Sequence, residues 1–114
     1  SMGRACLAAM EESERNFLMD ALAKRHGDDW PQIKRNLERA FRDYQDYGYC
    51  LSLGEWHKDV NSVAVPLVHS KHGLLVFNCG APSYLLSQSK LEDEIGPRLI
   101  HMVHNIQEAL NMSN

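Results

Sequence analysis

The stretch Val60–Gly80 constrains the fold more than any other part of the chain. It holds two apolar runs, Val63–Val68 and Leu74–Phe77, joined by the short polar connection His69–Gly73. β-Branched residues dominate the first run and Gly73 tolerates the positive φ of a tight turn, so the stretch predicts a β-hairpin. Because successive side chains of a strand alternate and both faces here are apolar, we expect other elements to cover the hairpin on both sides.

Small polar residues interrupt one face of this predicted hairpin. Ser62 alternates with Ala64 on the first strand, and Asn78 alternates with Val76 and Gly80 on the second. A polar group on an otherwise buried face needs a hydrogen-bond partner from protein, water or ligand. We therefore expect a functional site on this face.

Helical periodicity flanks the hairpin on both sides. A third strand is predicted before it, with Cys50 and Ser52 on one face and Tyr49 and Leu51 on the other. The order is three helices, three antiparallel strands and one long helix, which is an α+β fold of two layers. Helices are expected over 2–10, 11–26, 30–46 and 88–111, and strands near 49–56, 60–69 and 73–80.

Local signals predict where the helices begin and pack. Asp28-Asp29 precedes the third helix and Ser87 the last, and both are good N-cap positions. Gly96-Pro97 is expected to bend or split the last helix. The second helix carries an apolar stripe that we expect to face the core, formed by Phe17, Leu18, Ala21 and Leu22.

The composition limits the classes of function that this chain can have. The 114 residues suit one domain, and the net charge of −3 with no basic cluster argues against a nucleic-acid surface in this segment. Its three cysteines, in apolar context and without paired spacing, are typical of a reduced cytoplasmic protein. We expect a cytoplasmic chain without a membrane segment or a cofactor, in which Ser1 is either native or a cloning remnant.

Neither a metal site nor an enzymatic centre is predicted. The spacing of the possible ligands fits no zinc motif, and they are His57, Asp59, His69 and His72. Cys79 and Ser62 are the candidate nucleophiles, but the sequence offers no His/Asp partner pattern or glycine-rich nucleophile turn for either. The chain is therefore predicted not to be an enzyme.

The predicted sheet has only three strands, although all three are strongly apolar. Three strongly apolar strands would leave exposed edges, so either another chain completes the sheet or residues that belong before Ser1 are missing. We favour missing residues.

An ordered set of motifs resembles a known regulator family. In this order and spacing the chain is similar, from Gly3 to about Leu110, to the effector-binding domain of IclR-type bacterial transcriptional regulators. The motifs are Gly3–Ala9, Tyr47–Tyr49, Leu53–Glu55, Asn61–Pro66, Gly80–Pro82 and Leu85–Leu91.

The resemblance implies a GAF-like domain in which a curved antiparallel sheet packs against helices and binds a small effector. It implies that residues 1–114 are an N-terminally incomplete effector domain, here without its first strands. DNA would be contacted only through a separate N-terminal winged helix-turn-helix domain, absent from this chain. Members often bind small carboxylates or aromatic acids and form dimers or tetramers. The alternative is an oligomerisation domain that binds no ligand.

The resemblance also carries effector positions onto this sequence. Backbone N–H groups at the start of the first helix would suit a carboxylate. The implied effector-binding residues are Ser1, Met2, Ser52, Ser62, Asn78 and Gly80. Strand parity places positions 52, 62 and 78 on faces with small polar residues, and position 62 should lie opposite 78 to 80. These residues are expected to face a cavity rimmed by Ser52 and the first helix.

Overall fold

The computed structural model describes residues 2–55 and 57–112 as an α+β fold with one three-stranded antiparallel sheet in the order β1-β2-β3. The predicted order of elements is confirmed. The elements are α1 (Met2–Ala9), α2 (Glu12–His26), a 3-10 turn (Gly27–Asp29), α3 (Trp30–Tyr47), β1 (Cys50–Leu53), β2 (Val60–His69), β3 (Gly73–Pro82), α4 (Gln88–Lys90), a π-helical turn (Leu91–Ile95) and α5 (Gly96–Met112).

The hairpin of β2 and β3 is the longest pairing in the sheet, as the sequence predicted. Its register runs from Val60 opposite Pro82 to His69 opposite Gly73, which has a φ of 74°. β1 is shorter than predicted. It ends at Leu53 because Gly54 has a φ of 68° and turns the chain away.

Both faces of the sheet are covered, which confirms the expectation from the hairpin sequence. On one face, the strands pack against the C-terminal helices through a core centred on Val63, Leu91 and Val103. On the other face, Ala64 packs with Ala5 of α1. Small side chains on both sides of this second contact allow α1 to lie close to the strands.

The structure confirms the predicted C-terminal end of α3 but not its predicted N-cap. At the C-terminus Gly48 adopts the left-handed conformation, and its N–H donates to Tyr44 O at 2.9 Å. At the N-terminus the predicted Asp cap is wrong. Asp29 is helical, with a φ of −80° and a ψ of −13°, and its side chain makes no capping bond. The 3-10 turn instead leads directly into α3, with Pro31 in the first turn.

Helix α2 does not bury the stripe that its sequence predicted. None of its described residues is buried, and Phe17 is 73% exposed. The helix ends where predicted, at His26 before Gly27. Its apolar side chains are therefore left outside both cores of this chain.

The last helix is interrupted where Gly96-Pro97 predicted a bend. Ser87 is confirmed as its N-cap, because its Oγ accepts from the Lys90 N–H at 3.2 Å. The π-helical turn follows, and the Gly96 N–H donates to Leu91 O, five residues back. No helix in the described part of the chain is both long and apolar enough to cross a membrane.

Candidate functional site

A row of small residues crosses all three strands on the face that lies under α1. Ser52 pairs with Ser62, and Ser62 pairs with Gly80. In the next row Ala64 pairs with Asn78, so Asn78 lies diagonal to Ser62 on the same face. The structure therefore brings together the four sheet residues that the sequence predicted, in the register that was expected.

Exposure increases along this row from β1 to β3. Ser52 is only 3% exposed, Ser62 is half-buried, and Asn78 and Gly80 are exposed. A methyl group added at Gly80 would lie 3.2 Å from Ser62 Cβ and 3.7 Å from Asn78 Nδ2. Glycine at position 80 therefore avoids a close contact with Ser62 and leaves exposed backbone between two polar residues.

Arg4 fixes the beginning of α1 beside this row. Its Nη1 donates to Leu51 O at 3.1 Å and forms an ion pair with Glu55, which also pairs with Arg39 of α3. The Arg4 side chain is 17% exposed. Arg4 and Glu55 stood out in the sequence only as motif residues, and this contact was not predicted, because the two are 51 residues apart along the chain.

The first turn of α1 supplies the remaining predicted positions. Met2 begins the helix and is 54% exposed. Ser1 lies outside the described residues. The first N–H groups of a helix have no intrahelical acceptor, so they can donate to an anion.

The chemistry of this face favours binding. Cys50 lies in the same layer, and burial raises the pKa of its thiol to about 12. Its Sγ instead donates to Ala40 O at 3.4 Å. A thiol that stays protonated at neutral pH is a poor nucleophile. Cys79 lies on the opposite face and packs against the core beneath α5.

The histidines near the hairpin tip have a structural role. His69 is 5% exposed, and its Nδ1 accepts the backbone N–H groups of Lys71 and His72 at 3.0 and 3.2 Å. These bonds hold the turn between β2 and β3. Among residues 2–55 and 57–112, no three His, Cys, Asp or Glu side chains converge to hold a metal ion.

A separate cleft of about 360 Å³ lies between α2 and α3. Long side chains line it, among them Arg15, Asp20, Lys34 and Glu38. The guanidinium of Arg15 lies 5.0 Å from the ring centre of Phe41. We place the candidate site on the sheet face instead, because strand backbones hold its polar groups in register, whereas flexible charged side chains surround the cleft.

Comparison with known proteins identifies the chain. It is 32% identical over 108 residues to the HTH-type transcriptional regulator TsaQ1/TsaQ2 of Comamonas testosteroni, an alignment that covers 94% of this chain and 39% of that protein. It is 64% identical to an IclR family transcriptional regulator from Brucella abortus, whose crystal structure matches with a TM-score of 0.94 over 96% of this chain and 41% of that one. The chain belongs to the IclR family. No protein-family model matches it.

Two less similar solved structures share the fold. A transcriptional regulator from Rhodococcus sp. RHA1 matches with a TM-score of 0.74 at 23% identity, over 100% of this chain and 47% of that one. A double mutant of the inducer-binding domain of the PobR transcription factor from Acinetobacter, in complex with 3-hydroxybenzoic acid, matches with a TM-score of 0.68 at 18% identity, over 94% and 62% of the two chains. These two matches establish the fold alone.

The comparisons bear on the expected class of protein. The chain corresponds to the C-terminal domain of an IclR-type regulator and spans about two fifths of the length of TsaQ1/TsaQ2 and of the Brucella protein. These relatives are transcriptional regulators, which agrees with the prediction that the chain is not an enzyme.

Proposed function

We propose that this chain is the effector-binding domain of an IclR-type regulator and that a small organic acid binds on the sheet face beside the start of α1. The observation that carries the proposal is the row of Ser52, Ser62 and Gly80 across three strands, with Asn78 diagonal to it. Small polar groups in an apolar layer supply both room and hydrogen-bonding capacity for a ligand.

An acidic effector suits the charges around this row. The N–H groups at the start of α1 lie at the positive end of the helix dipole and can donate to a carboxylate. Arg4 adds a guanidinium whose charge is shared with Glu55. The ring of an aromatic acid would lie against the exposed backbone of Gly80, which carries no side chain to block it. The 3-hydroxybenzoic acid complex of the PobR inducer-binding domain, which shares the fold, supports this ligand class.

Regulation would pass from this domain to a separate winged helix-turn-helix domain that contacts DNA. An effector changes DNA affinity only if it binds two conformations with different affinities. We expect helix α1 to transmit this difference toward the DNA-binding domain. Arg4 connects α1 to β1 directly and to α3 through Glu55.

The test is titration calorimetry with a ligand chosen by thermal shift from a panel of small carboxylic acids that includes 3-hydroxybenzoic acid. Replacing Asn78 by Leu puts a larger apolar side chain beside Gly80 and removes a polar partner. We expect affinity to fall about ten-fold or more, which is over ~1.4 kcal/mol. The control is Asn105→Leu, the same change on the exposed side of α5. Unchanged affinity in Asn78→Leu would place the pocket elsewhere.

A second candidate is an oligomerisation domain without a ligand, which the unburied helix α2 favours. The same panel separates the two functions. If no acid raises the melting temperature and native mass spectrometry finds no co-purified small molecule, the oligomerisation function replaces the sensing function.

A further inference from the structure

The cleft between α2 and α3 has the size of a small-molecule site. Its volume of about 360 Å³ lies within the range of ligand pockets, which is roughly 300–1,000 Å³. One face of α3 lines it, because Trp30, Lys34, Glu38 and Phe41 recur at intervals of three or four residues. All the described residues around the cleft belong to α2 and α3, so the cleft is separate from the sheet face and from the function proposed for it.

The end of the cleft nearest the turn between the two helices is apolar. Trp30 begins α3, Ala23 lies in the last turn of α2, and Met19 lies one turn before Ala23. All three residues are half-buried. An indole ring and a flexible thioether can pack closely around apolar groups of different shapes. This end therefore suits the apolar part of a ligand.

Two opposite charges adjoin the apolar end. Asp20 follows Met19 on α2, and Lys34 lies one turn after Trp30 on α3. Both charged residues are exposed, and within residues 2–55 and 57–112 no ion pair involves either of them. A ligand can therefore pair with Asp20 and Lys34 without displacing a charged protein partner.

Arg15, at the opposite end of the cleft, already has partners. Its guanidinium lies 5.0 Å from the ring centre of Phe41, and its Nη1 donates to Ala8 O at 3.5 Å. A ligand that used Arg15 would compete with these contacts. Asp20 and Lys34 are therefore the charges that a ligand can use at least cost.

We propose that this cleft binds a zwitterionic α-amino acid with an apolar side chain. The ligand carboxylate pairs with Lys34 and the ligand ammonium pairs with Asp20. The ligand side chain packs against Met19, Ala23 and Trp30.

The charges of the cleft favour a zwitterion over a simple acid or a simple amine. Two basic residues, Arg15 and Lys34, and two acidic residues, Asp20 and Glu38, line the cleft, so their charges sum to zero. An acid without an amino group is attracted by the bases but repelled by the carboxylates, and the reverse holds for an amine. A ligand with both charges is attracted at both positions. This ligand class differs from the small acid proposed for the sheet face.

The test is a titration of the 114-residue chain with L-phenylalanine, followed by two-dimensional amide NMR spectra. The amide signals of Asp20 and Lys34 and the indole signal of Trp30 should shift together. We expect a dissociation constant of about 0.1–1 mM, because binding must order the exposed lysine side chain. The Asn78 signals should not move. An absence of shifts up to about 10 mM ligand, or shifts confined to the sheet, would overturn the proposal.

Two analogues of phenylalanine test the need for both charges. 3-Phenylpropanoate lacks the ammonium group, and 2-phenylethylamine lacks the carboxylate. Each should bind roughly three- to five-fold more weakly than phenylalanine, which is the effect of losing one exposed ion pair. If either analogue binds as tightly as phenylalanine, the ligand is not recognised as a zwitterion.

Two substitutions assign each charge to its partner. In Asp20→Asn, phenylalanine should lose its advantage over 3-phenylpropanoate, and in Lys34→Gln it should lose its advantage over 2-phenylethylamine. The controls Asp46→Asn and Lys24→Gln make the same changes at exposed positions that do not line the cleft, and they should keep the wild-type preferences. Unchanged preferences in Asp20→Asn and Lys34→Gln would contradict the proposed pairing. Circular dichroism of each variant confirms that the fold is retained.

Discussion

Gly96 decides how the last helix approaches the sheet. Its Cα lies where a side chain would collide with two fixed groups: an added methyl group would be 2.7 Å from Leu91 O and 2.9 Å from Tyr49 Cε2. The π-helical turn brings Leu91 O to this place, and the Tyr49 ring belongs to the core on the α5 face. The glycine is therefore required by close approach rather than by its backbone conformation.

Gly96→Ala should lower the free energy of unfolding by about 2 kcal/mol or more, because backbone and ring must both move to admit the methyl group. Urea denaturation measures the change. The control is Gly3→Ala in α1, where the added methyl group has no neighbour within 4 Å. That variant should be as stable as wild type or gain up to about 1 kcal/mol of helix propensity. Equal effects of the two substitutions would contradict the steric account.

Cys50 is the residue whose ionisation should limit stability in alkali. Burial raises the pKa of its thiol from 9.0 to about 12, so between these values the folded state keeps a proton that the unfolded state loses. The contribution is complete below pH 9 and is lost as pH rises toward 12, with a slope of up to about 1.4 kcal/mol per pH unit.

Unfolding free energies measured at several values from pH 8 to pH 11 should therefore fall more steeply for wild type than for Cys50→Ala. Burial also raises the pKa of Tyr49, which leaves a slope of the same sign in the variant. Cys79→Ala, at the half-buried cysteine of β3, is the control and should keep the wild-type slope. A slope in Cys50→Ala equal to that of wild type would show that the thiol does not titrate as described.

At the scale of elements, one carboxylate joins three parts of the chain. Glu55 follows β1 and pairs with Arg4 of α1 and Arg39 of α3. Glu55 and Arg4 are each less than one fifth exposed, whereas Arg39 is about half exposed. The Arg4 contact should therefore carry most of the stabilisation, because the Arg39 contact is screened by solvent.

Glu55→Gln should lower the free energy of unfolding by about 1–3 kcal/mol, because it leaves the largely buried Arg4 guanidinium without its counter-charge. The control is Glu94→Gln, which removes the exposed Glu94–Arg98 pair at 3.7 Å and should change stability by less than about 0.5 kcal/mol. Thermal and urea denaturation compare the two. If the effect of Glu55→Gln is as small as that of its control, Glu55 does not hold α1 in place.

At the scale of the whole molecule, the net charge argues against DNA binding by this domain. The chain has 12 basic and 15 acidic residues and a net charge of −3. Basic side chains are interleaved with acidic ones along the sequence, so we expect no strongly basic surface that would displace counterions from phosphates.

The 114-residue chain alone should therefore show no sequence-selective DNA binding. Fluorescence anisotropy with operator and scrambled duplexes at low and moderate salt measures it, and the two duplexes should behave alike. A selective, salt-sensitive complex with the operator duplex would contradict the proposed division of function between this domain and a separate DNA-binding domain.

The sequence by itself determined the sheet and the face on which its small polar residues lie. Side chains alternate along a strand and the turn before Gly73 sets the register, so Ser52, Ser62 and Gly80 had to fall in one row if the hairpin formed. Local chemistry also determined the cap at Ser87 and the end of α3 at Gly48.

Only the tertiary structure decided which apolar and charged residues have partners. The apolar stripe of α2 has helical periodicity but packs against neither core. Periodicity indicates that a face is apolar, but it does not indicate which element covers that face. Ser52 is buried and Asn78 exposed because one lies beneath helices and the other near the edge of β3. Arg4 and Glu55 are 51 residues apart along the chain, and only the folding of α1 onto β1 brings their charges together.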